Sequence, residues 1–140
     1  MTHTCRALVV CCMDFRLQTA VRDFLVSRGL LDQYDLTGEL GAAKSLTDDI
    51  EEEGQYLLRK IDIALQKHKI TEVIIIQHTD CAAFGGGSAF SSYDRERHRM
   101  LDVLERARGE IQSRFPQLKI TKALAVINNG QSAKIDFEEI

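Results

Sequence analysis

The apolar residues of this chain form two kinds of pattern, short continuous runs and longer runs with a helical period. A nearly continuous apolar run covers Cys5 to Met13, and a run rich in β-branched residues covers Ile70 to Gln77. Such runs are typical of strands buried on both faces, as in a parallel sheet. Residues 33–37 and Ile120 to Ile127 predict two more strands, and the alternating tail from Lys134 to Glu138 predicts an edge strand.

Between these strands, apolar residues recur every three or four positions, which is the spacing of one helix face. The segment from Leu17 to Leu25 predicts a first helix, and Gly29 is a typical residue just after a helix end. A second helix is predicted from about Ser45 to Lys67, and a third from Met100 to Ile111 that ends before Pro116. The apolar stripe of the second helix consists of Leu46, Ile50, Leu57, Leu58, Ile61 and Leu65, with Gly54 as its weak point.

Strands and helices alternate along the sequence and are joined by short connections, of which Gly38 to Ala43 is predicted to be a small-residue loop. This alternation calls for right-handed crossovers between parallel strands. The predicted fold class is therefore α/β, with a mostly parallel central sheet flanked by helices. No internal repeat or linker divides the sequence, so we expect a single domain over residues 1–140.

Composition and charge narrow the possible partners. The chain is 44% hydrophobic and 28% charged, with a formal net charge of -3. This balance offers no basic surplus for a nucleic-acid backbone, so we expect no nucleic-acid partner. No apolar run approaches the roughly 20 residues that cross a bilayer, and Met1 to Thr4 lacks the features of a signal peptide. We therefore expect no membrane partner and a cytoplasmic location.

The four cysteines point to metal or thiol chemistry, because disulfides belong mainly to oxidising compartments. They are Cys5, Cys11, Cys12 and Cys81. Neighbouring residues of a strand face opposite sides of the sheet, so at most one of Cys11 and Cys12 can face a given site. Cys5 and Cys11 are interpreted as core or strand thiols. The patterns around His3, His68 and His98 are typical of surface histidines.

Two motifs stand at equivalent places in the predicted fold. Cys12-Met-Asp-Phe-Arg16 follows the first strand, and His78-Thr-Asp-Cys81 follows the third. Ligands bind at the carboxyl ends of the strands in open parallel sheets. If the two strands are neighbours, Cys12, His78 and Cys81 converge on one point. Two thiolates and one imidazole suit zinc, whose catalytic sites commonly use three protein ligands and one open position.

The pattern C-x-D-x-R followed far downstream by H-x-x-C resembles the signature of the beta-class carbonic anhydrases. That resemblance implies one Zn²⁺ per chain, with Cys12, His78 and Cys81 as its ligands. It also implies that Asp14 and Arg16 form a catalytic pair beside the metal. The implied activity is that of a zinc lyase, the reversible hydration of carbon dioxide to bicarbonate and a proton, and the implied assembly is a homodimer or a higher homo-oligomer.

The sequence departs from the family pattern in several places. Phe15 and Met13 replace small residues, which predicts a bulkier and drier pocket. Ala82 replaces a glycine, and the family arginine is absent from the loop that contains Glu39. The first predicted strand begins near residue 5, so the sequence leaves no room for the helical arm that many relatives have there.

Other functions remain open at this stage. One is hydrolysis of carbonyl sulfide or carbon disulfide, because Phe15 would suit an apolar substrate. Another is a catalytically silent zinc-binding protein in which Asp14 closes the fourth metal position. A cysteine phosphatase fails, because Arg16 is too close to Cys11 and Cys12 for its C-x-x-x-x-x-R loop. Asp80 is predicted either to support His78 or to cap a helix.

Overall fold

A computed structural model of the chain describes residues 3–48, 51–128 and 134–140. Its strands form one sheet in the order β2-β1-β3-β4-β5. The first four strands pair in parallel and the fifth pairs antiparallel to the fourth. This confirms the predicted α/β class with a mostly parallel central sheet flanked by helices. The strands are β1 (Ala7–Cys12), β2 (Tyr34–Glu39), β3 (Glu72–His78), β4 (Lys119–Ile127) and β5 (Ile135–Glu139).

The two central strands, β1 and β3, are buried at every position. Their side chains alternate between two separate apolar layers, as the period of a strand requires. Val10 and Ile75 face the layer that holds Ile61 of the second helix, whereas Val9 and Ile74 face the other layer. Burial of each such side chain contributes about 1.5–3 kcal/mol. The continuous apolar runs of the sequence therefore arise because both faces of the sheet are covered.

The helices are α1 (Gln18–Ser27), α2 (Glu51–Ile63) and α3 (Tyr93–Arg114), and a π-helical turn (Ala64–His68) extends α2. The first prediction is confirmed, and Gly29 follows α1 with a left-handed φ of +75°. The third helix was predicted too short. It begins after Ser92, whose hydroxyl accepts a hydrogen bond from the Arg95 amide at 3.1 Å. A serine at this position satisfies one of the free amides of the first turn.

The predicted start of the second helix at Ser45 is wrong. Ser45 belongs to a separate 3₁₀ turn (Ala42–Leu46), and Ile50 lies outside the described residues. A Cβ atom added to Gly54 would lie 2.9 Å from the Ser45 carbonyl oxygen. The turn therefore packs directly against the backbone of α2, which needs glycine there. Gly54 is a point of close packing and not simply a weak position in the helix.

The loop predicted from Gly38 to Ala43 is also corrected, because Gly38 and Glu39 complete strand β2. The predicted edge strand is confirmed as β5. Since β1 and β3 are parallel neighbours, their carboxyl ends lie side by side. Among the described residues, no helix is both long and apolar enough to cross a membrane.

Candidate metal centre

Three potential metal ligands meet where β1 and β3 end. Cys12 is the last residue of β1, His78 is the last of β3, and Cys81 lies three residues beyond His78. All three are at least 97% buried. The two sulfur atoms are 4.0 Å apart, and the three ligand atoms all lie within 4.8 Å of one another. The structure thus brings together the three residues that the sequence singles out.

The histidine ring is oriented by its backbone surroundings. His78 Nδ1 lies 2.6 Å from the Thr79 carbonyl oxygen, to which it donates a hydrogen bond in the Nδ1–H tautomer. Thr79 is fixed in turn, because its hydroxyl accepts a hydrogen bond from the Ile127 amide of β4 at 2.9 Å. This leaves the Nε2 lone pair available to a metal, in the arrangement that is usual for histidine ligands.

The His78 Nε2 atom is buried and has no hydrogen-bond partner among the described residues. An unsatisfied buried polar atom costs about 1–3 kcal/mol. Zinc bound tetrahedrally to two sulfurs at about 2.3 Å separates them by about 3.8 Å, close to the distance between Cys12 and Cys81. A zinc-type ion would satisfy Nε2 and match the sulfur spacing, so these side chains fit the metal that the sequence predicts.

The two thiols of the cluster differ in acidity. The hydrogen bond from Cys81 lowers the pKa of Cys12, with further contributions from His78 and from the Gly41 and Asp14 amides. The same contact and burial raise the pKa of Cys81. The contact thus favours the thiolate form at Cys12, and a bound metal would require both thiols to lose their protons. Outside the cluster, burial raises the pKa of Cys11 to about 12, as expected for a core thiol.

A carboxylate and a guanidinium lie beside the cluster. The Arg16 side chain forms a fork on Asp14, with Nε 3.1 Å from Oδ1 and Nη2 2.7 Å from Oδ2. The Arg16 amide also donates to Asp14 Oδ1 at 2.9 Å. The guanidinium lowers the pKa of Asp14, so the carboxylate is ionised at neutral pH. Asp14 Oδ2 also lies 4.0 Å from His78 Nε2, at the edge of the metal cluster.

Asp80 holds the opposite side of the same guanidinium. Arg16 Nη1 donates to Asp80 Oδ2, and Nη2 donates to the Asp80 carbonyl oxygen, both at 2.9 Å. The Asp80 amide donates to Glu96 Oε2 at 2.7 Å. Both sequence interpretations of Asp80 are therefore wrong, because it neither caps a helix nor bonds to His78. It adopts a left-handed φ of +54° and anchors Arg16.

Glu96 and the glycine run after Cys81 both contact Asp80, and the sequence did not single out Glu96. Gly87 donates its amide to Asp80 Oδ1 at 2.8 Å, and a Cβ atom on Gly86 would come within 3.3 Å of that oxygen. The run from Gly85 to Gly87 thus provides a close backbone contact to Asp80. A signal existed for Glu96, because this buried carboxylate lies one turn before Met100 on the apolar stripe of α3.

Met13 and Phe15 do not form the expected dry pocket among the residues that the structure describes. Phe15 is 86% exposed and Met13 is 64% exposed, so neither side chain encloses the cluster. Ala82 is exposed as well. Glu39, the last residue of β2, forms an ion pair with Lys60. The substituted residues therefore change the surface around the centre more than its interior.

Two bacterial proteins are similar to this chain in sequence over most of its length. They are described as "uncharacterized", come from Rickettsia bellii and Rickettsia conorii, are each 28% identical over 117 residues and match 81% of this chain. The chain spans 71% of the first relative and 63% of the second.

Solved structures of beta-carbonic anhydrases share the fold. The enzyme CafD of Aspergillus fumigatus superposes with a TM-score of 0.58 at 16% identity, over 97% of this chain and 89% of its own. CafA of the same fungus gives 0.52 at 15% identity, over 99% and 76%. TvaCA1 of Trichomonas vaginalis gives 0.56 at 12% identity, over 98% and 85%.

A family model described as "Putative carbonic anhydrase" matches residues 2–136. Because that match runs over nearly all of the 140 residues, the chain belongs to the carbonic anhydrase family that this description names.

Proposed function

We propose that this protein catalyses the reversible, zinc-dependent hydration of carbon dioxide to bicarbonate and a proton. Cys12, His78 and Cys81 would hold one Zn²⁺ per chain, within a single domain that covers residues 1–140. The observation that carries this proposal is the unsatisfied, buried Nε2 of His78, which faces two sulfurs that are 4.0 Å apart. Membership of the carbonic anhydrase family, which implies a small-molecule substrate, agrees with this proposal.

When bound, zinc would supply the Lewis acidity that lowers the pKa of water to about 7, an effect for which carbonic anhydrases are themselves the established example. The reaction forms one carbon–oxygen bond between water and carbon dioxide and releases one proton to solvent. Since Cys12 and Cys81 would both bind the metal as thiolates, the net charge of the centre would be zero.

Asp14 would orient the attacking water. Its carboxylate is ionised and held by the Arg16 fork, and Oδ2 lies on the side that faces the metal ligands. A carboxylate oxygen there accepts a hydrogen bond from water and directs an oxygen lone pair toward the substrate carbon. Arg16 keeps its charge at every relevant pH and fixes the plane of the carboxylate. Asp80 would keep Arg16 in place from the other side.

A catalytically silent zinc protein is the second candidate, because Asp14 Oδ2 lies only 4.0 Å from His78 Nε2. A small rotation would allow this carboxylate to occupy the fourth metal position. The hydrolysis of carbonyl sulfide or carbon disulfide loses the support that Phe15 gave it, since that ring is exposed.

We further propose a homodimer or higher homo-oligomer. Met13 and Phe15 follow Cys12 in sequence, and Leu40 follows Glu39, which pairs with Cys12 in the sheet. All three expose large apolar side chains, and a second copy of the chain would cover them. Light scattering on the Phe15→Asp variant tests this, with a smaller assembly expected than for the wild type. The cytoplasmic location and the lack of a nucleic-acid partner remain predictions from the sequence.

The deciding experiment combines a metal count with stopped-flow carbon dioxide hydration from about pH 6.5 to 9, a range that brackets a zinc-water pKa near 7. We expect one zinc that depends on Cys81 and turnover that depends on Asp14. Cys81→Ser should lose the metal, whereas Cys11→Ala is the matched control, because Cys11 is buried but lies outside the cluster. Unchanged zinc in Cys81→Ser would contradict the ligand set. Zinc without turnover at any pH would favour the silent protein, and a panel of sulfur substrates would then follow.

A further inference from the structure

A second group of metal-binding side chains lies at the opposite end of the sheet. Sγ of Cys5, a carboxylate oxygen of Asp35 and a ring nitrogen of His68 all lie within 4.8 Å of one another. All three residues are partly buried, so solvent also reaches the group. Cys12 lies seven residues after Cys5, mostly along strand β1, a distance of about 23 Å at 3.3 Å per residue. This second group, the Cys5 cluster, is therefore separate from the candidate active centre.

The backbone holds the members of the Cys5 cluster together. The Cys5 amide donates to the His68 carbonyl oxygen at 3.0 Å, and the Arg6 amide donates to the Gln33 carbonyl oxygen at 2.9 Å. These bonds tie the start of β1 to the end of the α2 extension and to the segment just before β2. The three side chains thus converge because of main-chain pairing that does not depend on their own attraction, which is the preorganisation a ligand site needs.

The histidine is placed by an unusual piece of helix. His68 is the last residue of the π-helical turn, and Lys69 after it has a left-handed φ of +56°. π-turns are rare and occur frequently at functional sites. A π-turn shifts the face of a helix by one residue, and here His68 Nδ1 comes to lie 2.6 Å from Asp35 Oδ2.

An ion pair between His68 and Asp35 would by itself explain that short contact, but it leaves the thiol without a role. Cys5 Sγ makes a weak contact of 3.7 Å with the Ala7 carbonyl oxygen and also interacts with Asp35; burial and then the Asp35 charge raise the pKa of the thiol, so a bound metal would have to displace its proton. One sulfur, one nitrogen and one carboxylate oxygen form a borderline-soft donor set that suits zinc and its neighbours in the transition series. A thiolate and a carboxylate also neutralise a divalent ion, with the thiol proton released to solvent. The nearby cations Arg6, Lys67 and Lys69 are exposed at the surface.

We propose that Cys5, Asp35 and His68 bind one divalent ion of the zinc type, with water as the fourth ligand. The ion would join the start of β1, the start of β2 and the helical turn before β3, so its role is structural. Tetrahedral zinc separates nitrogen and oxygen ligands by about 3.3 Å, so the contact between His68 and Asp35 would lengthen and the ion would replace their hydrogen bond.

Metal titration of the full chain tests this proposal, with Zn²⁺ alone and then Co²⁺ alone as probes. Wild-type protein is expected to bind two equivalents, and Cys5→Ala and His68→Asn one each. His98→Asn removes an exposed histidine of α3 outside both clusters, and this matched control should keep two equivalents. With Co²⁺, the thiolate charge-transfer absorption should persist when Cys12 and Cys81 are both changed to serine, and disappear when Cys5→Ala is added.

Two results would overturn the proposal. One is a folded wild-type chain that binds a single equivalent, which Cys5→Ala still binds. The other is a second equivalent that survives both Cys5→Ala and His68→Asn, since it would then be bound elsewhere. If the variant without Cys12 and Cys81 fails to fold, the wild-type and Cys5→Ala proteins alone decide, because Cys5 is only partly buried. Failure of the catalytic zinc proposal gives a different result, because Cys81→Ser would then bind as many equivalents of Zn²⁺ as the wild type.

Discussion

Arg16→Lys provides a sharp test of how the candidate centre is held together, because it keeps the charge and removes the planar fork. Arg16 bonds to Asp14 through Nε and Nη2, and to Asp80 through Nη1 and Nη2. A single ammonium group reaches one of the two acidic residues at a time. The substitution therefore sacrifices at least the two bonds to Asp80.

The expected loss of stability follows from the exposure of these groups. A hydrogen bond to a charged group contributes about 1.5–3 kcal/mol when it is buried. The Asp80 side chain is 45% exposed, so solvent screening reduces each of its two bonds to about 1 kcal/mol. We expect Arg16→Lys to lower the free energy of unfolding by about 2 kcal/mol. In the zinc-loaded protein, the loosened Asp14 carboxylate should reduce kcat by about 10- to 100-fold, in line with the cost of about 1 Å of misplacement.

Urea unfolding of the metal-free protein and carbon dioxide hydration by the zinc-loaded protein measure the two effects. The matched control is Arg108→Lys, the same substitution at an exposed ion pair with Glu105, where we expect no measurable change in stability and unaltered kcat. The reasoning is refuted if Arg16→Lys resembles Arg108→Lys in both stability and kcat. Loss of stability with unaltered kcat would mean that the Arg16 fork stabilises the fold but does not affect catalysis.

Three further predictions address the fold and the site. Gly54→Ala should destabilise the protein by about 1–3 kcal/mol because its Cβ would meet the Ser45 carbonyl, whereas Gly109→Ala, with open space around it, should stabilise helix α3 by about 0.5–1 kcal/mol. Thermal unfolding compares the two variants, and equal effects would contradict the contact at Gly54. Because the pKa of Asp14 is lowered in the folded state, its ionisation stabilises the protein above about pH 4, and this contribution is lost as the pH falls further. The difference in unfolding free energy between wild type and Asp14→Asn, measured with urea, should therefore shrink below that pH, and a constant difference would refute the prediction. Glu96→Leu should lower kcat about 10-fold with little change in KM, because the Asp80 amide loses its hydrogen-bond acceptor, whereas Glu96→Gln keeps an acceptor and should have nearly wild-type kcat. Equal kcat in the wild type and both variants would show that Glu96 does not support the site.

The sequence predicts the central sheet and the meeting of Cys12 with His78 for one physical reason. Strands buried on both faces must be continuously apolar, and β1 and β3 have that pattern over their full lengths. Once these strands are parallel neighbours, any motif that directly follows them lies at the same edge of the sheet. The position of the three candidate ligands therefore depends on local pattern, which one sequence shows, and on β1 and β3 being neighbours, which the sequence left as a condition and the structure provides.

The features that could not be predicted all depend on contacts between distant segments. The break before α2 follows from the approach of Ser45 to Gly54, which helical periodicity cannot show. The bond between Arg16 and Asp80 requires a left-handed backbone at Asp80, which is uncommon for a residue other than glycine. The interpretation of Cys5 as a plain strand thiol failed to anticipate its neighbour His68, because a π-turn changes which residue faces the sheet.

The two clusters differ in burial, which suits the carboxyl end of the sheet to chemistry and the amino end to a structural ion. At the carboxyl ends of β1 and β3, Cys12, His78 and Cys81 are almost completely buried, so a bound metal would act in a weakly screened environment next to a fixed carboxylate. At the amino ends, the Cys5 cluster is partly exposed, and a solvent-screened ion there would mainly link chain segments. Loss of the first ion should therefore abolish turnover, whereas loss of the second should lower stability while the catalytic geometry about 23 Å away is preserved. A Cys5→Ala protein with normal kcat and a lower Tm in the presence of zinc would show this division directly.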